Sequence, residues 1–414
     1  MPTTQPTMVR GNLRAWRNAV FVVFTLSGLG FASWVSRIPA VRDGMHLSTA
    51  TIGLMLFGLA FGSIAGLATA PNYMARMGTR NGLRYSLLAM AVATVLLGLA
   101  TEVWGSFPAS AGILVLFGFF YSITDVVMNV EGAEVERANG RTLLPMMHAF
   151  FSFGTIIGAG LGAVAAMNSL PVAIHFTVVG VAIAAAGSWS VRYLPGPGIK
   201  EPVVLPTTPQ VVTGVGRHTH LGARLREILK MAAEPQLFFL GLMVVGMAFV
   251  EGSANDWLPI AAVDGHGFDN AGGALVYGTF VAAMTVGRAG GGPLIDRLGR
   301  RHTLTIMGAL GFIGILIFIL TDSQWTAFAA AGLWGLGGSL GFPIGVSAAA
   351  DHPTQSARRV SIISIFGYMA FLVGPPVLGV VGEHLGILNA FYLVALMLLL
   401  SLVVAPRAMR APPR

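Results

Sequence analysis

"GGPLIDRLGRRHTL", Gly291 to Leu304, crowds Asp296, Arg297, Arg300 and Arg301 around Gly299, between two apolar runs. The run before it, "GALVYGTFVAAMTVGRAG", and the run after it, "TIMGALGFIGILIFIL", carry one charged residue between them, Arg288. Each is close to the roughly 20 apolar residues that a helix needs to cross a hydrocarbon core of about 30 Å. The charged stretch therefore reads as a short turn at a membrane face. A weaker copy, "APNYMARMGTRNGLR", spans Ala70 to Arg84 between two further apolar runs. Gly78 corresponds to Gly299, while Pro71 stands in place of Gly292 and Ala75 in place of Asp296. Trp34 and Trp257 recur at a similar offset, so the chain reads as an internal repeat of about half its length.

Extended over the 414 residues, the apolar pattern predicts twelve membrane-spanning helices. They fall at 17–38, 50–74, 84–102, 110–134, 143–167, 171–191, 236–260, 271–295, 302–321, 325–349, 358–382 and 387–405. Composition agrees: charged residues are 10%, against about 25% in ordinary soluble domains, hydrophobic residues are 55% and mean hydropathy is +0.74. A proline-rich segment, "LPGPGIKEPVVLPTTPQ", and a short amphipathic pattern, "LGARLREILKMAAE", separate spans six and seven. The predicted organisation is all-α: a six-helix bundle over 1–192, a cytoplasmic linker over 193–234 and a second six-helix bundle over 235–414. The basic N-terminal stretch lacks the apolar core and cleavage site of a signal peptide, so the first span is expected to be retained.

The basic residues orient this array. With both termini in the cytoplasm, all but three of the 25 lysines and arginines fall in cytoplasmic segments. Arg37 and Arg42 fall outside and Arg288 within a span. Positive charge concentrates on cytoplasmic loops of inner-membrane proteins. The net charge of +8 is thereby assigned to topology rather than to nucleic acid. Zero cysteines exclude disulfides, thiolate metal sites and thiol catalysis. No nucleotide-binding loop, metal-ligand spacing or nucleophile–base arrangement is present, so neither an enzyme, a cofactor nor a metal is expected.

Two six-helix repeats and the loop around Gly299 resemble the major facilitator superfamily, whose signature between helices 8 and 9 is matched by Gly292, Asp296, Arg297, Gly299, Arg300 and Arg301. In this motif Gly292 is expected to allow close helix approach and Asp296 to bond a neighbouring helix when the cytoplasmic side closes. The arginines are expected to face lipid headgroups. The resemblance implies a monomeric secondary transporter in the bacterial inner membrane, working on a small solute by alternating access.

Ionisable residues inside spans are costly unless paired or hydrated, and so mark function. Asp125 lies roughly 20 Å into the fourth span, counted from outside. At helical spacing Gly118, Ser122, Asp125, Asn129, Gly132 and Glu136 share one stripe. A carboxyl in that setting can take up and release a proton. Glu131 and Glu134 lie on other faces and read as a solvated helix end, with Glu131 open to a proton-coupling role. Glu251 is the corresponding candidate in the seventh span, while Asp256 reads as a helix-end residue. Trp34 and Trp257 can stack on a solute. Arg288 is expected in a buried pair with Asp125, Glu131 or Glu251. His148 is placed to reach Glu131 as a proton relay or as a structural histidine. Gly154, Gly158 and Gly162, and "VGPPVLG", Val373 to Gly379, which breaks the eleventh span, read as helix packing and bending points.

Within the superfamily, Asp125 with Asn129, followed by "FFSFG" from Phe150 to Gly154, resembles the fucose–proton symporter branch. That likeness makes Asp125 the protonatable acid near a sugar-like solute. The branch's helix-1 aspartate falls at Val35 here, a departure from its pattern. "SWVSRIPAVRDGMHLSTATIGL" and "EGSANDW" are similar to a group of YbjJ-like bacterial inner-membrane transporters. The competing expectation is a proton-antiport exporter of drugs or metabolites. An acidic fourth span and a fifth span without proline in "GTIIGAGLGA" count against it.

Overall fold

The computed structural model describes residues 10–141, 143–196, 231–351 and 355–409. The chain in these ranges is helical throughout, in the order α1 (Arg10–Val35), α2 (Ile38–Gly44), α3 (Thr49–Gly98), α4 (Phe107–Asn139), α5 (Leu144–Met167), α6 (Val172–Val191), α7 (Pro235–His266), α8 (Asn270–Leu320), α9 (Gln324–Gly338), α10 (Gly341–Ala350), α11 (Ser356–Leu385) and α12 (Ile387–Ala408). By length and composition, ten helices among the described residues can cross a membrane, α1 running on into α2 and α9 into α10. The expected amphipathic linker helix lies, up to residue 230, outside the described residues.

The expected spans 50–74 and 84–102 are one element, α3, and 271–295 and 302–321 are one element, α8. Each is bent at a glycine. Gly78 has φ 69° and ψ 170°, and Gly299 has φ 75° and ψ 159°. Side chains with a β-carbon are strained there, so these turns depend on glycine. Both glycines stand 29 positions after the first residue of their helix, Thr49 or Asn270. A side chain also bridges each bend. The Tyr73 hydroxyl donates to the Gly82 carbonyl at 3.2 Å, and the Thr303 hydroxyl donates to the Leu294 carbonyl at 3.3 Å. Those four residues are equivalent pairs in the repeat, Tyr73 with Leu294 and Gly82 with Thr303. The bridge is the same, and its donor comes from opposite ends.

Helix ends follow their sequence signals. Ser106 caps α4 by accepting from Ala109 N–H, and Gly140 closes it at φ 64°. Asp269 caps α8 by accepting from Gly272 N–H at 2.7 Å, and Gly267 closes α7 at φ 65°. Such capping satisfies backbone groups that helix termini leave open. The stretch Val373–Gly379 does not interrupt α11, which stays helical through Pro375 and Pro376, but it does pack closely, at Gly379. Neighbouring helices in a membrane protein tolerate the freed backbone groups of an internal proline.

Packing groups the helices into two compact units. Segments 35–60 and 162–169 group with the C-terminal helices rather than with the rest of the N-terminal half. In the first unit α1 and α5 meet at small residues. A β-carbon on Gly154 would overlap the Thr25 carbonyl, and one on Gly158 would stand 2.6 Å from the Leu29 carbonyl oxygen. The expected glycine edge is therefore a close helix contact. In the second unit Arg42 of α2 pairs with Asp264 of α7. Glu383 of α11 accepts from the Ala50 N–H at 3.2 Å, and Gly53 of α3 lies against Gly379 of α11. These contacts join 35–60 to the C-terminal helices.

Candidate functional site

In the first unit α4 presents the acidic run. It continues to Asn139, one turn beyond the expected span, so every acidic residue of that run is helical. Asp125 and Asn129 are half-buried. Asn129 Nδ2 donates to the Asp125 carbonyl at 2.8 Å and to its Oδ1 at 3.3 Å. One turn earlier Tyr121 stacks on Phe31 of α1, with centroids 5.4 Å apart and planes at 24°. Both rings are half-buried. A carboxylate, a carboxamide and an aromatic stack thus lie along two turns of one helix. Tyr121 and Phe31 escaped the sequence reading because aromatics are common among apolar residues, and spacing alone does not separate a platform from core.

The glutamates after Asn129 separate into three roles. Glu131 is 3% exposed and accepts from the Trp16 indole N–H at 2.8 Å. It is not part of a solvated helix end: α1 covers it and supplies a donor from 115 residues away. Glu134 does meet that expectation, with an exposed i, i+3 pair to Arg137 at 3.0 Å. Glu136 accepts from the backbone N–H groups of Leu143 and Leu144 at 2.6 and 2.8 Å, which caps the start of α5. The expected polar stripe divides at Gly132, where a β-carbon would press on Leu144 and Met147, each at 2.9 Å. His148 is exposed, with its ring edge-on to Phe24 at 5.3 Å.

In the second unit Glu251 of α7 takes Arg288 of α8, Oε1 to Nη2 at 2.8 Å. Of the partners expected for Arg288, the pair forms with Glu251. It is partly exposed rather than buried, at 17% for the glutamate and 38% for the arginine side chain. Arg288 Nε also donates to the Ser339 carbonyl at 3.4 Å. One turn along α7, the Asn255 side-chain carbonyl accepts from the Tyr277 hydroxyl at 3.3 Å. Asp256 is not a helix-end residue: it lies ten residues before the end of α7 and is 8% exposed.

The two tryptophans are enclosed in this conformation. Trp34 is 2% exposed, 6.4 Å from Phe176 ring to ring, and Trp257 is fully buried. Both indole N–H groups lack a hydrogen-bond partner among the described residues.

At the Gly299 turn, close packing falls one residue from the expected glycine. A β-carbon on Gly292 would meet nothing within 4 Å, whereas Gly291 lies beneath Leu340 and Gly287 beneath Ser339. Close approach therefore falls on the helix face that carries Gly287 and Gly291. Asp296 is exposed and without a partner among the described residues. Arg300 instead pairs with Asp351, which follows α10, while Arg297 and Arg301 are exposed.

Comparison with known proteins agrees with this architecture. The family model described as "Major Facilitator Superfamily" matches residues 20–328 and 271–414. The chain belongs to that superfamily and is a membrane transporter, not an enzyme. It is 29% identical over 399 residues to an uncharacterized transporter, y4wD, of Sinorhizobium fredii, covering 96% of this chain and 99% of the relative. Among solved structures, the nucleoside transporter NupG aligns with a TM-score of 0.67 at 16% identity, over 95% of this chain and 98% of its own. FucP, a transporter of the same superfamily solved in an outward conformation, aligns with a TM-score of 0.64 at 16% identity, over 96% and 100%. At these identities the structural likeness concerns the fold.

Proposed function

We propose that the protein is a proton-coupled secondary transporter of a small polyhydroxylated solute, with Asp125 as the coupling acid. The observation that carries this reading is the group on α4: Asp125 hydrogen-bonded to Asn129, one turn from the Tyr121–Phe31 stack. Carboxylate and carboxamide oxygens accept from hydroxyls, while an aromatic face covers the apolar side of a sugar ring. The Asn129 amide holds the Asp125 carboxyl in place without a fixed positive charge. NupG is a nucleoside transporter and FucP a fucose–proton symporter. A nucleoside and a sugar both offer a hydroxyl-bearing ring to such a group.

In the same reading α3 and α8 each cross the bilayer twice, reversing at Gly78 and Gly299. That makes twelve crossings, with both termini cytoplasmic. Halves 1–192 and 235–414 expose the site to one side of the inner membrane at a time. Glu251, Arg288 and Trp257 serve the second half, Trp34, Glu131 and His148 support the first, and the protein acts as a monomer. The Gly299 turn, with Asp296, is the cytoplasmic gate.

Counterflow in proteoliposomes against a panel of sugars, polyols and nucleosides identifies the solute. An inward pH gradient then drives its accumulation, and Asp125→Asn abolishes the accumulation while leaving counterflow. Undiminished gradient-driven uptake by Asp125→Asn rejects the coupling role. Transport of hydrophobic cations alone indicates an exporter instead.

A further inference from the structure

Of the acidic residues on α4 and α7, four lie two turns or more inside the helix ends, Asp125, Glu131, Glu251 and Asp256, and three of these have a partner. Glu251 has Arg288, Glu131 has the Trp16 N–H and Asp125 has the Asn129 amide. Asp256 differs. Among the described residues it makes neither a hydrogen bond nor an ion pair, although it is 8% exposed. Along α7, Gly252 and Pro259 are buried, Ser253 is 4% exposed, and Trp257 and Ile260 are fully buried. A buried carboxylate with neither counter-ion nor donor is costly, by several kcal/mol or more.

The charged and titratable groups on the elements packed against α7 are committed elsewhere, buried Arg37 at the turn before α2 included. On α8, Arg288 is held by Glu251 and the Tyr277 hydroxyl by Asn255. On α2, Arg42 is held by Asp264, whose backbone is about 12 Å further along α7. On α11, Arg359 is held by Glu234 at 2.9 Å, and Glu383 accepts from Ala50 N–H. On α12, Arg407 lies over the Phe239 ring. None of these cations forms an ion pair with Asp256.

We propose that Asp256 is a second proton-binding site of this transporter, in the C-terminal half, where a bound proton supplies the balance that no side chain among the described residues provides. Binding takes one proton from water onto a carboxylate oxygen, and release returns it to water, with no other reactant. Glu251 and Arg288, five residues and one helix away, show the opposite solution, a permanent charge pair. The inference extends the proton-coupled reading above to a second residue, and its test requires no transported solute.

The test is pH-difference infrared spectroscopy on the full chain in liposomes, which reads protonated carboxyl groups directly. Asp256→Asn is nearly isosteric and removes the acid. Lowering the pH is expected to add a protonated-carboxyl band that D256N loses completely, that D125N retains and that Asp256→Glu displaces. A D256N spectrum superimposable on that of the unmodified protein at every pH overturns the proposal. If D256N does not fold, D256E decides: a displaced band supports the site and an unmoved one overturns it. Loss of a band in D125N alone leaves the role of Asp125 standing and removes that of Asp256. Loss in D256N alone does the reverse.

Discussion

Gly53 of α3 and Gly379 of α11 pack backbone against backbone. A β-carbon on Gly53 would stand 2.9 Å from the Pro375 carbonyl oxygen and 3.1 Å from the Gly379 Cα. One on Gly379 would stand 3.0 Å from both the Gly53 Cα and the Thr49 carbonyl oxygen. Backbone cannot yield as a flexible side chain can. Gly53→Val is therefore expected to separate the two helices, at about 1–3 kcal/mol, the usual cost of overpacking. Thermal unfolding of the purified variant in detergent measures it, and an unchanged midpoint contradicts the close contact.

The bends at Gly78 and Gly299 make a graded prediction. Gly299 has open space around it, so only its positive φ of 75° opposes a side chain. Gly299→Ala should cost about 1–3 kcal/mol, and Gly299→Asn no less, because φ 75° with ψ 159° lies outside the left-handed helical region that asparagine tolerates. The same order is expected at Gly78. Unfolding midpoints of the four variants check it. Alanine as stable as glycine at both sites would show that the turn has rearranged.

Trp16 and Glu131 should behave as one unit. Trp16→Phe keeps most of the ring and removes a donor that stands 2.8 Å from a buried carboxylate, a loss of about 1–3 kcal/mol. Adding Glu131→Leu to Trp16→Phe should cost less than the two single losses combined. A double-mutant cycle on thermal stability measures the coupling, and strict additivity refutes it.

Glu251 and Arg288 make a second cycle with a different readout. Arg288→Met strands a carboxylate that is 17% exposed and is expected to lower the unfolding midpoint more than Glu251→Gln. The double substitution should recover most of that loss, since a partly buried pair is worth less than breaking it costs. Equal midpoints for R288M and the double variant would show that the pair is incidental.

Much of the fold was legible because lipid imposes a coarse rule: long apolar runs, with charge confined to their ends. The repeat was legible for a different reason, since Gly78 and Gly299 serve a backbone angle that other residues fit poorly. The glycine edge of α5 was readable from its four-residue spacing. What escaped depends on contacts distant in the chain. Glu131 looks like a wet helix end until Trp16 is placed over it. In a membrane helix both the lipid face and the packed face are apolar, so periodicity does not say which one an acid such as Asp256 joins. For the same reason the sequence motif centred close approach on Gly292, one residue from the packed Gly291.

The bridges across the two bends separate what the repeat fixes from what it leaves free. Tyr73 reaches forward to Gly82, and Thr303 reaches back to Leu294. The hydroxyl comes from a tyrosine before the glycine in the first half and from a threonine after it in the second. What the halves share is therefore the pair of positions joined across the bend, while the end that supplies the donor is free to differ.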